Sequence, residues 1–125
     1  MKMILAIAWV ALLCLGSGLM AQETPAERQA KQIAVLKSDA DGQKKTEACL
    51  ELARVGTAEA VPALAALLTD EKLSHAARYG LERIEAPAAG EALRAALASV
   101  KGVLLVGAID SLGVRRDAKA VDALT

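Results

Sequence analysis

The sequence of 125 residues has no Phe, one Trp and one Tyr. So few aromatic residues argue against a large sandwich core and against an aromatic platform for stacking nucleic-acid bases. The 15 Lys and Arg residues are balanced by 15 Asp and Glu residues, which excludes a polybasic nucleic-acid arm and an acidic tail. We therefore expect no nucleic-acid partner. The apolar content of 54% argues against disorder.

Side chains that carry chemistry are also scarce. One His and two Cys residues are too few for a disulfide scaffold or for a metal site built from His and Cys. The sequence has no phosphate-binding loop, no nucleophile elbow and no His-Glu-x-x-His motif. The Glu residues are spread over several predicted helices, with no sign of paired carboxylates in a cleft. We expect that the chain is not an enzyme and holds no metal or cofactor.

Residues 1–21 have the layout of a secretory signal peptide. Lys2 gives a positive start, and a short apolar run is interrupted by Gly16-Ser17-Gly18 before the small Ala21 at the predicted cleavage site. The alternative is an uncleaved membrane anchor over residues 4–21, although the break leaves the run short of the roughly 20 apolar residues of a spanning helix. We expect export to the periplasm or the extracellular space, with membrane contact only if this segment is retained.

The remaining residues favour helices throughout. Ala and Leu, both strong helix formers, supply 24 and 14 of the residues after Ala21, and no stretch alternates with period two. Thr24 to Glu27 reads as a capping box with Pro25 at the first helical position, which predicts a helix running to about Lys37. This helix and the turn that follows, within residues 22–42, are expected to cap an all-α domain. Cys49 is the only cysteine after the predicted cleavage site, so no internal disulfide can form.

An apolar pattern recurs in residues 43–125 with steps of 29 and 28 residues. Apolar side chains at i, i+4 and i+7 mark three helices, each followed by a second apolar helix. The three stripes are Ala48, Leu52 and Val55; Ala77, Leu81 and Ile84; and Leu105, Ile109 and Leu112. We expect three units at about 43–70, 74–100 and 103–125, with all three stripes in one shared interior.

The turn residues give further expectations. Gly56 and Gly113 follow apolar helix ends, where a left-handed cap is favoured. Ser74 and Asp117 are good N-cap candidates, and Thr57 is a fair one.

The repeats resemble short HEAT-type repeats of bacterial proteins, about 30 residues long. The segments LARVGTAEAVPALAALLTDE and SLGVRRDAKAVDAL share a Leu-x-x-(Val/Leu)-Gly turn followed by an Ala-Val-x-x-Leu helix. The segment TDEKLSHAARYGLERIEAPAAGEALRAAL resembles the N-terminal arrays of large secreted HEAT-repeat proteins. The resemblance covers about residues 33–125 and implies a right-handed α-solenoid that serves as an interaction scaffold. The middle unit departs from the pattern at Ile84-Glu85 and at Gly90, which predicts looser packing there.

The third unit is predicted to be incomplete, because its second helix is short and no polar capping unit follows. An open apolar edge is therefore expected around Leu105, Ile109, Val121 and Leu124. On this interpretation the chain is the N-terminal arm of a longer protein.

We expect a protein partner of unknown identity. Candidate binding residues are Arg115, Arg116 and Lys119 in the longest inter-helix loop, and His75 and Tyr79, which are four residues apart on one helix. As an exposed loop residue, Arg115 is expected to change stability by less than about 0.5 kcal/mol when replaced by Ala.

Three alternatives to a simple binding scaffold stay open. One is a HEAT-like lyase or isomerase that acts on bilin chromophores, which needs a large pocket lined by aromatic and Arg side chains. Another is an accessory arm of a downstream catalytic or electron-transfer domain. The third is a scaffold tethered to a membrane by residues 4–21.

Overall fold

The computed structural model describes residues 22–125, so the predicted signal peptide lies outside the described part of the chain. All regular structure in this range is helical and none of it is β-strand, which confirms the predicted all-α class. A 3-10 turn, Ala58–Ala60, leads into the third of seven α-helices. The seven are α1 (Pro25–Lys37), α2 (Gly42–Val55), α3 (Val61–Ala65), α4 (Ser74–Arg83), α5 (Pro87–Ala96), α6 (Gly102–Val114) and α7 (Ala120–Leu124).

The first helix begins and ends as its sequence predicts. Thr24 Oγ1 accepts a hydrogen bond from the Glu27 backbone N–H at 3.2 Å, and a carboxylate oxygen of Glu27 accepts one from the Thr24 N–H at 3.0 Å. This reciprocal pair satisfies two donors that the helix itself leaves free. Gln29 ties α1 to the turn after α2, since its buried Oε1 accepts from both the backbone N–H and the hydroxyl of Thr57.

The expected left-handed glycine caps are absent at both positions. Gly56 has extended backbone, with φ −69° and ψ 145°, and Gly113 lies inside α6. The left-handed positions in residues 22–125 are instead Gly102, at φ 58°, and Arg116, at φ 53°. The spacing of apolar residues predicts approximately where the helices end. It does not predict which residue adopts the left-handed backbone conformation.

Two of the expected N-caps are also wrong, while Thr57 does cap its 3-10 turn. Ser74 is already the first residue of α4, and Asp70 Oδ1 accepts the backbone N–H groups of Lys72 and Leu73 in the turn before it. Asp117 is not the cap of α7, because its carboxylate is occupied by an arginine from α5.

The helices pack in chain order around one apolar core. α2 lies between α1 and α4, and α4 lies between α2 and α6, while α3 and α5 pack beside them. Each of the first two units contributes a fully buried leucine from its first helix and another from its second helix. These are Leu52, Leu64, Leu81 and Leu93. Small residues bring the helices close: a side chain on Gly80 would press against Leu64 at 3.1 Å.

The third stripe does not enter this core as expected. Leu112 is buried and Leu105 is half-buried, but Ile109 is 39% exposed, whereas the equivalent Leu52 and Leu81 are fully buried. Leu124 of the short helix α7, which lines the same surface hollow as Ile109, is itself 48% exposed.

Within residues 22–125, no helix combines the length and the apolar character that crossing a bilayer requires.

Candidate partner-binding surface

Arg115 is part of the fold rather than a free loop cation. Its guanidinium group donates through Nη1 to the carbonyl oxygens of Leu81, at 2.7 Å, and Ile84, and through Nη2 to that of Ala86 at 3.3 Å. The carbonyls of Leu81 and Ile84 lie at the C-terminal end of α4, where a helix leaves its last C=O groups without intrahelical partners, and Ala86 directly precedes α5. The expectation that Arg115→Ala is nearly neutral is therefore not supported.

Asp117, in the same loop, forms a half-buried ion pair with Arg94 of α5. Gly90, one turn before Arg94, makes room for this pair: a Cβ atom there would lie 2.5 Å from Asp117 Oδ2 and 3.3 Å from Arg94 Nη1. The expectation of looser packing at Gly90 is wrong, because this buried glycine accommodates the tie between the second and third units.

Arg116 adopts the left-handed conformation that ends α6. Its N–H donates to the Gly113 carbonyl at 3.0 Å, and the Asp117 N–H donates to that of Leu112 at 3.1 Å. This pair of bonds is the Schellman motif, whose left-handed position is usually glycine. A side chain at this position costs roughly 1–2 kcal/mol of backbone strain. The Arg116 side chain itself is exposed.

The five candidate residues fall into two separate groups. Arg115 and Lys119 line the same surface hollow of about 320 Å³ between α5 and the loop before α7, and Arg116 lies on the other side of that loop. His75 and Tyr79 belong to α4 and have other neighbours. His75 Nδ1 lies 3.4 Å from an Arg78 guanidinium nitrogen, and the Arg83 guanidinium stacks over the Tyr79 ring at 4.3 Å.

A polar network between α4 and α6 was not anticipated from the sequence. Arg78 Nη1 donates to the Gly107 carbonyl at 3.0 Å and to Ser111 Oγ at 3.4 Å, and Ser111 donates to Glu82 at 2.7 Å. Gly107 lacks a side chain where the Arg78 guanidinium lies. The available signal was the pair Gly107 and Ser111, four residues apart in an otherwise apolar helix.

Two of the remaining reactive groups are a buried thiol and a paired carboxylate. Cys49 is fully buried, and burial raises the pKa of its thiol from 9.0 to about 11, so it is unsuited to act as a nucleophile. Glu51 pairs with Arg28 and Arg54. In the described range no three His, Cys, Asp or Glu residues are grouped so that they could hold a metal ion.

An exposed apolar surface, which we call the end face, lies on α6 and α7. Val106 is 67% exposed, and a neighbouring hollow of about 290 Å³ is lined mainly by apolar residues. The end face comprises Val103, Val106, Ile109, Val121 and Leu124. The expected open edge is confirmed for three of its four residues, while Leu105 is half-buried, and Val103 and Val106 were not anticipated.

Comparisons with known protein families, with curated proteins and with solved structures found no match.

Proposed function

We propose that this chain is an exported, non-catalytic scaffold that binds another protein through a stack of HEAT-like helical pairs. The observation that carries the proposal is the end face. Monomeric proteins seldom expose contiguous apolar surface without a binding role, especially where polar residues surround it. Arg116, Asp110 and Lys101, which are close to the exposed valines of α6 along the sequence, are also exposed.

The solenoid arrangement is part of this proposal and rests on how the helices follow one another. Helices α2, α4 and α6 pack in order, at a sequence step of 28 or 29 residues between equivalent positions. In such a stack each unit covers the apolar face of its neighbour, and the last unit leaves one face uncovered. The exposure of Ile109, against full burial of Leu52 and Leu81, agrees with α6 being the last inner helix among residues 22–125.

No observation favours the chromophore enzyme. Three surface hollows of about 290, 320 and 540 Å³ are lined without any aromatic side chain. Tyr79, the single aromatic residue after position 21, lines none of them.

Binding can be tested by placing a photo-cross-linking amino acid at position 106 in cells that produce the chain. A matched control carries it at position 50, since Leu50 is also an exposed apolar residue, at 45%, but lies on α2. We expect a protein adduct at position 106 and not at position 50. Absence of any adduct from position 106 would overturn the proposed function.

Export can be tested separately by measuring the mass of the chain recovered outside the cytoplasm. A mass corresponding to a start at Gln22 would support cleavage of the signal segment. Recovery of the uncleaved chain from membranes would instead support the tethered alternative.

A further inference from the structure

We propose that α6 and α7 form a lid that opens as one unit while α1 to α5 stay folded. The hinge of the lid is Gly102, and residues 115–117, which we call the latch, hold it closed. The movement lies within the fold and is independent of what the protein binds. In such movements a few residues at the end of an element absorb the change in backbone angles.

The hinge lies where the chain enters the lid. Gly102, the first residue of α6, has a φ of 58°, a left-handed conformation that glycine adopts without strain. A Cβ atom on Gly102 would meet nothing within 4 Å, so the glycine serves the backbone conformation and not close packing. Gly102 and the preceding Lys101 are both exposed, and no side chain caps this end of α6. The backbone can therefore turn at Gly102 without disturbing packed neighbours of that residue.

The latch lies at the other end of α6, about 20 Å from the hinge, because α6 has 13 residues. Arg115 donates to carbonyl oxygens between the end of α4 and the start of α5, and Asp117 pairs with Arg94 of α5. Arg116, between these two contacts, has a left-handed φ of 53°. Closing the latch therefore holds a backbone conformation that a residue other than glycine resists.

Between hinge and latch, the lid buries little apolar surface. Leu112 is the only large apolar side chain of α6 and α7 that is buried. The guanidinium of Arg78 occupies the space beside Gly107 and donates to the Gly107 carbonyl and to Ser111 Oγ. The contacts that hold the lid are therefore mainly polar.

The boundary between α2 and α4, within the part that stays folded, is apolar. Leu52 of α2 and Leu81 of α4 are fully buried, and in residues 22–125 no side-chain hydrogen bond or ion pair joins these two helices. Water can replace the polar contacts of the lid when it opens, whereas exposing apolar side chains to water is unfavourable. Opening the lid therefore costs less free energy than separating α2 from α4.

Hydrogen exchange of the purified full chain in low concentrations of urea tests whether the lid opens alone. A helix as short as α6 is marginal in water once it has lost its packing, so its amides exchange in the open state. We expect residues 103–114 to exchange through an opening with a weaker urea dependence than that of residues 43–55, because less surface is exposed. Equal urea dependence of the two segments would mean that α6 opens only by global unfolding, and would overturn the proposal.

Three substitutions separate lid opening from global unfolding. Arg115→Met removes latch contacts that exist only in the closed state, so it should speed exchange of residues 103–114 by about tenfold. The matched control Arg54→Met, on an exposed arginine of α2, should leave that segment unchanged. Leu52→Ala weakens packing that the open state keeps, so it should speed exchange of residues 43–55 by about tenfold or more and leave residues 103–114 unchanged. Acceleration of both segments by Leu52→Ala would overturn the proposal.

Distances between nitroxide labels test the movement directly. Leu50→Cys and Val106→Cys place one label on α2 and one on the lid, at two exposed positions, while the Cys49 thiol is buried and stays unlabelled. We expect a second, longer distance whose population rises when Arg115→Met is added. The control pair Leu50→Cys and Arg83→Cys, on α2 and α4, should keep a single distance. A single, unchanged distance for the lid pair in the presence of Arg115→Met would overturn the proposal.

Discussion

Arg115 and Arg116 are neighbours in sequence, but their surroundings give them opposite effects on stability. The Arg115 guanidinium donates to three carbonyl oxygens, two at the end of α4 and one just before α5. Arg116 is exposed and holds a backbone conformation that glycine adopts more readily. The same residue type therefore stabilises the fold at one position and strains it at the next.

We predict that Arg115→Ala lowers the free energy of unfolding by about 1–3 kcal/mol, because partly buried carbonyls lose a charged donor. Arg116→Gly should raise it by about 0.5–1 kcal/mol by relieving the left-handed strain. Urea denaturation of both variants measures the difference. A loss in Arg116→Gly, or no change in Arg115→Ala, would contradict this assignment.

The Cys49 thiol should make stability depend on pH under alkaline conditions. Its pKa is 9.0 in an ordinary environment and about 11 in the fold, so folding favours the neutral thiol. The stabilisation is complete below pH 9 and is lost as the pH rises through 11. A shift of this size corresponds to about 2–3 kcal/mol.

The measurement is the free energy of unfolding between neutral pH and pH 11 for the native chain and for Cys49→Ala. Other groups titrate in both proteins, so the difference between the two curves isolates the thiol. We expect the native chain to lose more stability above pH 9 than the variant does. Parallel curves would show that the thiol is not buried in solution.

At the scale of helices, equivalent positions differ in what covers them. Leu81 of α4 is fully buried, whereas Ile109 holds the same place on α6 and is 39% exposed. We predict that Leu81→Ala costs about 2–5 kcal/mol, in the range of buried leucines. Ile109→Ala should cost less than half of that, since much of its side chain already meets water. Thermal melts of the two variants give the comparison, and equal losses would mean that α6 is covered in solution.

This contrast also shows what the sequence could and could not predict. The capping box at Thr24, the all-helical class and the burial of Leu52 and Leu81 follow from local preferences and apolar spacing. The long-range hydrogen bonds of Arg78, Arg94 and Arg115 could not be predicted from local preferences and spacing, because each joins residues 23 to 34 positions apart.

Glycine was equally hard to interpret from sequence. The sequence predicts looser packing at Gly90 and gives no expectation for Gly107. Yet Gly90 leaves space for the carboxylate of Asp117, and Gly107 leaves space for the guanidinium of Arg78. Of the candidate site, the apolar edge near Ile109 was predictable from the short last helix. The exposure of Val103 and Val106 could not be predicted from the sequence, since it depends on which side of α6 faces α4.

Over the whole molecule, order should decrease toward the end that carries α7. That helix has five residues, and only Ala120 in it is buried, whereas α3 is equally short but has three buried residues and helices on more than one side. Short helices without packing are marginal in water. We predict that amides of residues 120–124 exchange faster than those of residues 61–65.

Hydrogen exchange followed by mass spectrometry measures this on the purified chain at a concentration low enough to keep it monomeric. Equal protection of the two segments in a monomer would contradict the prediction.

The stacking of Arg83 over Tyr79 has a spectroscopic consequence. Tyr79 is the single aromatic side chain after position 21, so tyrosine emission from the chain reports on the surroundings of α4 alone. The one tryptophan, Trp9, lies in the predicted signal segment. Tryptophan fluorescence in a purified sample therefore measures how much of the chain still carries its first residues, while tyrosine fluorescence follows the folding of its centre.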